Sequence, residues 1–255
     1  MSESPGWMLI WFVAIAVSPF LGSFLGVLAL RLPERRPIAW SRSSCDTCGH
    51  TLAARDLVPL ASYLVLRGRC RYCGNQIGWS APGMELAALA VAVWAGFYTS
   101  GWVLAVSCVL GWMLLLLAVI DWRVQLLPDV LTLPLLIIGF AVSLFIAPQS
   151  LRDHAIGAVA GFVLLALAAW AYHRLRKREG LGLGDAKLLA ALGAWVAWQG
   201  LPTILLLGSM LGLAFALARA ATGGGLKLSD RLPFGVFLAA AGWLVWLYGP
   251  LLPGG

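Results

Sequence analysis

Two aspartates stand at the ends of apolar segments, and their possible chemistry depends on whether they can meet. Asp121 closes one apolar run, and Asp185 follows a Gly-Leu-Gly stretch that opens another. An ionisable group at the edge of a membrane helix is by default a hypothesis for a functional site. Two carboxylates about 3 Å apart hold one proton between them, so one can activate water while the other hydrogen-bonds a carbonyl. That chemistry is aspartic peptide hydrolysis.

The residues around Asp185 suit a supporting role. Gly182 and Gly184 allow the backbone to approach an extended substrate, or to adopt a positive φ, because neither carries a Cβ. Lys187 could tune the local field or pair with a lipid headgroup. These three residues are therefore expected to shape the site without reacting.

Each acidic residue also has a purely structural interpretation. Asp185 at a helix N-terminus is favoured by the helix dipole, and Asp121 could simply pair with Arg123. Asp129, which follows Leu-Pro, is expected to be the N-cap of the next helix, with support of the catalytic pair as the alternative.

Four cysteines form a second group with the spacing of a metal site. Two CxxC pairs, each followed by glycine, are separated by 21 residues and comprise Cys45, Cys48, Cys70 and Cys73. This pattern predicts a tetrahedral structural Zn²⁺ site, and a redox pair is the alternative. Four thiolates leave no open position, so the metal is expected to staple a loop and not to catalyse.

Composition places these residues in a helical membrane protein. Hydrophobic residues make up 61% of the 255 and charged residues 11%, whereas a soluble globule carries roughly 25% charge. Stretches of about 20 apolar residues cross the hydrocarbon core as helices. We predict an all-α integral membrane protein with about eight such segments, at 6–30, 82–100, 102–120, 130–147, 154–173, 185–200, 202–220 and 232–251.

The chain is expected to divide into three regions. These are a first transmembrane helix at 1–30, a cytosolic loop domain with the cysteines at 31–81, and a seven-helix membrane domain with both aspartates at 82–255.

The positions of Lys and Arg predict the orientation. With the N-terminus outside and eight alternating crossings, every one of the 18 basic residues except Arg152 falls on the cytosolic side. The connections at 174–184 and 219–231 contribute to this bias. Both aspartates then lie at the same depth on the cytosolic side. Topology and anionic lipid headgroups account for the net charge of +7, so no nucleic-acid partner is expected.

The order and spacing of these motifs resemble those of the type IV prepilin peptidase family, the bacterial inner-membrane leader peptidases of pilin and type II secretion systems. The likeness covers nearly the whole chain. The matching stretches are GSFLGV at 22–27 with RLP at 31–33, DLVPLASY at 56–63 with LRGRC at 66–70, the two CxxC pairs, Asp121 with LPD at 127–129, and GLGDAK at 182–187.

The resemblance implies that Asp121 and Asp185 are the catalytic pair of a GxGD-type aspartic peptidase. The implied substrates are type IV prepilins or type II secretion pseudopilins, cut after a glycine that ends a short basic leader, just before the apolar helix. The resemblance also implies N-methylation of the new N-terminus with S-adenosylmethionine, an activity linked to the half with the cysteine loop. The chain departs from the family pattern at Gly26, where Asn is common, and at Ala81, where Tyr is frequent.

Two other classes of function fit part of the pattern. A transporter could use Asp121 and Asp185 as a proton relay, although transporter sites usually lie near the bilayer midplane between broken helices or inverted repeats. A non-enzymatic, zinc-stapled assembly factor of a secretion machine would leave the Gly-Leu-Gly-Asp stretch unexplained.

Overall fold

The computed structural model describes residues 6–37, 43–45, 47–177, 182–222 and 232–251, and in these ranges it contains helices but no strand. The α-helices are, in chain order, α1 (Gly6–Arg31), α2 (Ala61–Val65), α3 (Ser80–Tyr98), α4 (Gly101–Val124), α5 (Asp129–Ile146), α6 (Leu151–Arg176), α7 (Leu183–Ala221) and α8 (Phe234–Tyr248). Six of them are long and apolar enough to cross a membrane, and α8 is a shorter apolar helix. The prediction of an all-α, multi-pass membrane protein is confirmed.

Residues 1–116 form one compact unit and residues 117–255 a second. In the first unit, α1 packs tightly against α3. A Cβ on Gly22 would lie 2.6 Å from the Cα of Glu85, so only glycine permits this approach. The indole of Trp11 donates a hydrogen bond to the carbonyl of Ala92 across the same pair of helices. The division into regions at 30/31 and 81/82 stays a prediction.

The second unit is organised around α7, which is 39 residues long. At 1.5 Å per residue a straight helix of this length would span about 58 Å, nearly twice the hydrocarbon core. Its backbone leaves the helical region at Ala197, where φ is 57° and ψ is −178°. The helix is therefore two arms joined at a break.

Contacts with α8 show that the second arm of α7 runs back beside the first. In the first arm, Leu192 packs against Gly242 of α8. Beyond the break, Thr203 accepts a hydrogen bond from the backbone N–H of Leu251, past the far end of α8. The second arm then returns, since Gly212 faces Phe237 near the start of α8. The predicted segments 185–200 and 202–220 thus correspond to two antiparallel helical arms, and the break between them lies at Ala197.

Two helices hold the first arm of α7 in place. α6 approaches it through glycines, because a Cβ on Gly161 would lie 2.7 Å from the carbonyl oxygen of Leu189. Close backbone approach at small residues is typical of helix interfaces in membranes. On the α5 side, the indole of Trp195 donates to the carbonyl of Leu135 at 2.9 Å. These contacts fix the arm that begins with Asp185. Of the predicted basic connections at 174–184 and 219–231, residues 178–181 and 223–231 lie outside the described residues.

Candidate functional site

The two predicted catalytic aspartates meet inside the second unit. Asp121 lies in the last turn of α4 and is 4% exposed, and Asp185 is the third residue of α7 and is 8% exposed. Leu127 joins their two positions, because a Cβ on Gly235, beside Oδ2 of Asp121, and a Cβ on Gly184, next to Asp185, would each lie 3.0 Å from it. No ion pair joins Asp121 to Arg123 in the part of the chain that the structure describes, so the alternative of a simple helix-end salt bridge is not supported.

The start of α8 contributes a contact to Asp121 that sequence reasoning missed. The backbone N–H of Val236 donates a hydrogen bond to Oδ2 of Asp121 at 3.1 Å. A Cβ on Gly235 would lie 2.8 Å from the same oxygen, so glycine leaves room for the carboxylate. A helix N-terminus with free N–H groups favours a negative charge. The sequence signal that could have pointed to this contact is the Pro233-Phe234-Gly235 stretch at the start of an apolar helix.

Leu127 packs between the glycines of two helices beside the aspartates. A Cβ on Gly184 would lie 3.0 Å from Cβ of Leu127, and a Cβ on Gly235 would lie 3.0 Å from its Cδ1. Gly182 is the N-cap of α7 with φ −78°, and neither Gly182 nor Gly184 has a positive φ. The positive-φ alternative predicted for Gly182 and Gly184 is therefore wrong. The approach of their backbone to an extended substrate stays a prediction.

Asp129 and Lys187 form an ion pair beside the aspartates. The N-cap of α5 is Pro128, and Asp129 is the first helical residue, so its predicted N-cap role is wrong. The reason is that its carboxylate turns toward α7 and accepts from Lys187 Nζ at 2.6 Å. The sequence suggested a lipid headgroup as one partner for Lys187. In the structure its partner is the Asp129 carboxylate. Both side chains are more than a third exposed, so the pair contributes at most about 1 kcal/mol.

The four predicted cysteine ligands converge in the first unit. Their Sγ atoms all lie within 4.8 Å of one another, and the Sγ atoms of Cys45 and Cys73 are 3.9 Å apart. None of the four is in a disulfide. Metal–sulfur bonds of about 2.3 Å place tetrahedral sulfurs about 3.8 Å apart. The arrangement can hold a metal ion.

The two CxxC turns share one backbone hydrogen bond and one glycine with a positive φ. In each, the first cysteine's carbonyl accepts from the glycine that follows the second cysteine, at 2.9 Å for Cys45–Gly49 and for Cys70–Gly74. Both glycines have a positive φ, of 68° and 70°, with nothing near the position of a Cβ. N–H groups of Cys48 and Thr47 lower the pKa of the Cys45 thiol to about 6, which favours the thiolate that binds metal.

A salt bridge anchors the chain next to the cysteines. Arg71 Nε donates to Oδ1 of Asp56 at 2.7 Å, and the Tyr72 hydroxyl donates to Oδ2 at 3.2 Å. The Arg71 guanidinium holds the pKa of Asp56 below its usual range. The Asp56 side chain is 3% exposed, so this contact ties the segment before α2 to the second CxxC turn.

A pocket in the first unit is too small for S-adenosylmethionine. Asp56 and Glu85 line it, and Glu85 accepts from the backbone N–H of Leu60 at 2.8 Å. Its volume is about 130 Å³, whereas sites for ligands of that size occupy about 300–1,000 Å³. The pocket therefore does not fit the whole cofactor.

The chain departs from the family pattern at Ala81 and Gly26. Ala81 lines this pocket. A Cβ on Gly26 would make only ordinary van der Waals contact with Met84.

Comparison with known protein families gives two matches that together cover most of the chain. Residues 108–217 match the model of the type IV leader peptidase family, and residues 16–99 match that of the bacterial peptidase A24 N-terminal domain. A prepilin leader peptidase/N-methyltransferase of Burkholderia pseudomallei is 41% identical over 92% of this chain and 84% of its own. The chain belongs to the type IV leader peptidase family.

Other members of the family are similarly close. Relatives with the same name from Aeromonas salmonicida and Pseudomonas aeruginosa are 39% and 37% identical, over 91% and 92% of this chain and 88% and 89% of theirs. No solved structure matches the chain. The leader peptidase match includes both Asp121 and Asp185, and the N-terminal match includes all four clustered cysteines.

Proposed function

We propose that this protein is a prepilin leader peptidase of the bacterial inner membrane, with Asp121 and Asp185 as its catalytic pair. The observation that carries the proposal is the meeting of two buried carboxylates at the ends of membrane helices, inside the region that matches the leader peptidase family. The substrates are type IV prepilins or type II secretion pseudopilins, cut after the glycine that ends a basic leader.

The geometry suits general acid–base hydrolysis by a shared-proton pair. The ionised aspartate takes a proton from water while the protonated one hydrogen-bonds the scissile carbonyl. The N–H of Val236 supports this chemistry because it occupies one oxygen of Asp121 and so fixes the orientation of the carboxylate. Gly184 keeps Leu127 close to the site, and the Lys187–Asp129 pair ties α5 to α7 next to it.

The orientation of the membrane helices follows from the basic residues. We place the N-terminus outside and the cysteine loop and aspartates on the cytosolic side. A basic leader stays in the cytosol, and the apolar helix that follows it lies in the bilayer. The scissile bond between them then falls at the depth of Asp121 and Asp185.

We assign Zn²⁺ to the four-cysteine cluster. Thiolate ligands and tetrahedral sulfur spacing are those of structural zinc, and a closed set of four ligands holds the fold of the loop and leaves no position for water. Zinc bound there would join the two CxxC turns.

N-methylation of the new N-terminus with S-adenosylmethionine is the proposed second activity. It rests on the printed names of relatives such as the one from Burkholderia pseudomallei and on the N-terminal domain match. The 130 Å³ pocket does not accommodate the whole cofactor, so no residue is assigned to it.

Substitution of each aspartate tests the peptidase. Asp121→Asn and Asp185→Asn keep the size of the side chain but prevent the pair from sharing a proton. In liposomes with a prepilin that carries its leader, each variant should lose at least about 100-fold in cleavage rate, followed as the mobility shift of the trimmed product.

A matched carboxamide control is Asp153→Asn. Asp153 accepts hydrogen bonds from Trp198 and Gln199, away from the proposed catalytic pair, so its variant should cleave at close to the parental rate. Parental rates in both Asp121→Asn and Asp185→Asn would refute the catalytic assignment.

A further inference from the structure

The short helix α2 of the cysteine loop lies beside two membrane helices. The backbone N–H of Leu60, the residue before α2, donates to Oε2 of Glu85 in α3 at 2.8 Å. Ser62 and Leu66 line one pocket together with Ser23 of α1. Both α1 and α3 are long and apolar enough to cross a membrane. The α2 segment is therefore attached to the sides of two membrane spans.

These contacts lie inside the spans and not at their ends. Glu85 follows Ser80, the first residue of α3, by about 7.5 Å along the helix axis. Ser23 precedes Arg31, the last residue of α1, by about 12 Å. Gly22 packs directly against Glu85, so both values refer to the same level. An amphipathic segment on a membrane buries its apolar face about 5–10 Å deep, at the boundary between headgroups and acyl chains. The α2 segment lies at this depth.

Apolar side chains of this segment point away from the protein. Leu64 is 73% exposed and Val65 is 76% exposed. Next to them, the ring of Tyr63 contacts that of Trp79, with the ring centroids 5.6 Å apart. Trp79 is the N-cap of α3 and is itself exposed, and Trp and Tyr are enriched at the membrane–water interface. At this depth the molecules that surround the exposed leucine and valine are lipids.

Arginines border the apolar side chains. Arg55, Arg67 and Arg69 are exposed, and none of them forms an ion pair among the described residues. Asp56, the acidic residue of this segment, is already paired with Arg71. Anionic lipid headgroups attract such cations at the membrane surface. The segment thus carries apolar groups for the acyl chains and cations for the phosphates of one leaflet.

We propose that α2 is an interfacial segment that inserts into the leaflet beside α1 and α3 and binds anionic phospholipid. Leu64 and Val65 contact the acyl chains, and Arg67 and Arg69 bind the headgroup phosphates. In the proposed orientation this is the cytosolic leaflet. The loop between α1 and α3 is then anchored to the membrane at its middle. This anchoring is independent of the proposed peptidase activity.

Fluorescence quenching in liposomes measures the depth of α2. A fluorescent amino acid replaces Leu64 or Val65 in the full chain, in liposomes of phosphatidylglycerol and a phosphatidylcholine that carries a nitroxide on its acyl chain. Iodide on both sides of the membrane quenches from water. Phe24, exposed within the membrane span α1, is the lipid-facing reference, and Glu34, exposed beyond the end of α1, is the water-facing reference.

The fluorophore at Leu64 or Val65 should be quenched by the nitroxide lipid as strongly as the one at Phe24, and iodide should quench only the one at Glu34. Quenching of Leu64 and Val65 positions by iodide, as at Glu34, would overturn the proposal. Protection from both quenchers would also overturn it, because a protein surface such as a second copy of the chain would then cover α2.

Charge removal tests the headgroup contact. Phosphatidylglycerol added to the protein in detergent should raise the melting temperature of the parent, because a ligand stabilises the state that binds it. The rise should be smaller in Arg67→Gln/Arg69→Gln.

The matched control is Arg174→Gln/Lys177→Gln, which removes two exposed cations at the end of α6 and should keep the parental rise. An unchanged rise in Arg67→Gln/Arg69→Gln, or an equal loss in both double variants, would refute the assignment of Arg67 and Arg69 to lipid phosphates.

Discussion

The carboxylate of Asp121 is held by a helix that begins more than a hundred residues later. The N–H of Val236 reaches one of its oxygens, and Gly235 leaves the space in which that oxygen sits. A side chain at position 235 would compete with the carboxylate for this space. The precision of the proposed site therefore depends on a residue that has no functional group.

Gly235→Ala should impair catalysis without removing either aspartate. Because the new Cβ would lie 2.8 Å from Oδ2 of Asp121, the carboxylate must move by a few tenths of an ångström or more. Misplacement of about 1 Å can lower a rate by about 100-fold, so we expect a drop in kcat of roughly 10- to 100-fold, measured by leader cleavage.

The control for this substitution is Gly83→Ala, where a Cβ would meet nothing within 4 Å. It should cleave normally. An unchanged kcat in Gly235→Ala, with the protein folded, would mean that the α8 contact does not position Asp121.

At the scale of elements, the described residues of the double CxxC loop form only a 3-10 turn at Ala54–Leu57 and the short α2, so the order of the loop is expected to depend on the metal. Removal of two ligands by Cys45→Ser/Cys70→Ser should reduce bound zinc from about one per chain to near zero. It should also speed tryptic cleavage at Arg67 and Arg69. Metal analysis of the purified protein and limited proteolysis measure the two effects.

Cys108→Ser is the matched control, since Cys108 is buried in α4 and lies outside the cluster. It should retain zinc. Parental zinc content in the double variant would contradict the four-thiolate site.

The break in α7 predicts that a glycine at position 197 will stabilise the protein. Ala197 has φ 57° and ψ −178°, a region that non-glycine residues occupy at a cost of about 1–3 kcal/mol. Ala197→Gly removes that strain but adds freedom to the unfolded chain. We expect a net gain of about 1 kcal/mol, or roughly 2–4 °C in the melting temperature in detergent.

Ala214→Gly, at an exposed and regularly helical position in the second arm, should lower the melting temperature. Glycine there costs about 0.5–1 kcal/mol. If both substitutions lower the melting temperature, the break at Ala197 is not strained in solution.

The sequence predicted the helices better than the contacts between them. Apolar length alone located the six candidate spans and the shorter apolar helix α8, and matched depth selected Asp121 and Asp185 as a pair. It could not reveal the role of Gly235 or the partner of Lys187, because each depends on contacts between residues far apart in the chain. Asp129 was assigned to the wrong role for the same reason. Local preference favoured a cap, but a tertiary ion pair determines where its carboxylate points.

At the scale of the whole molecule, the break in α7 bears on the number of membrane crossings. If each arm of α7 crosses the membrane and the shorter α8 does so as well, the described helices make eight crossings with α1, α3, α4, α5 and α6. We therefore predict that both termini lie on the same side, and the positive-inside rule predicts that this side is outside.

Fusions at the C-terminus test this topology. Alkaline phosphatase, which is active only outside the cytosol, should be active there, and green fluorescent protein should be dark. Fusions after residue 222, at the end of the second arm, should give the reverse. A fluorescent C-terminal fusion would contradict the even number of crossings.

The fold-back of α7 also has a consequence for how the protein enters the membrane. No charged residue lies between Lys187 and Arg219, so the turn at Ala197 can be carried across the bilayer without moving a charge. By the positive-inside rule, Lys187 and Arg219 should keep the two ends of this hairpin on the cytosolic side. We therefore expect the two arms to insert together, so that Asp185 reaches its depth in the same step.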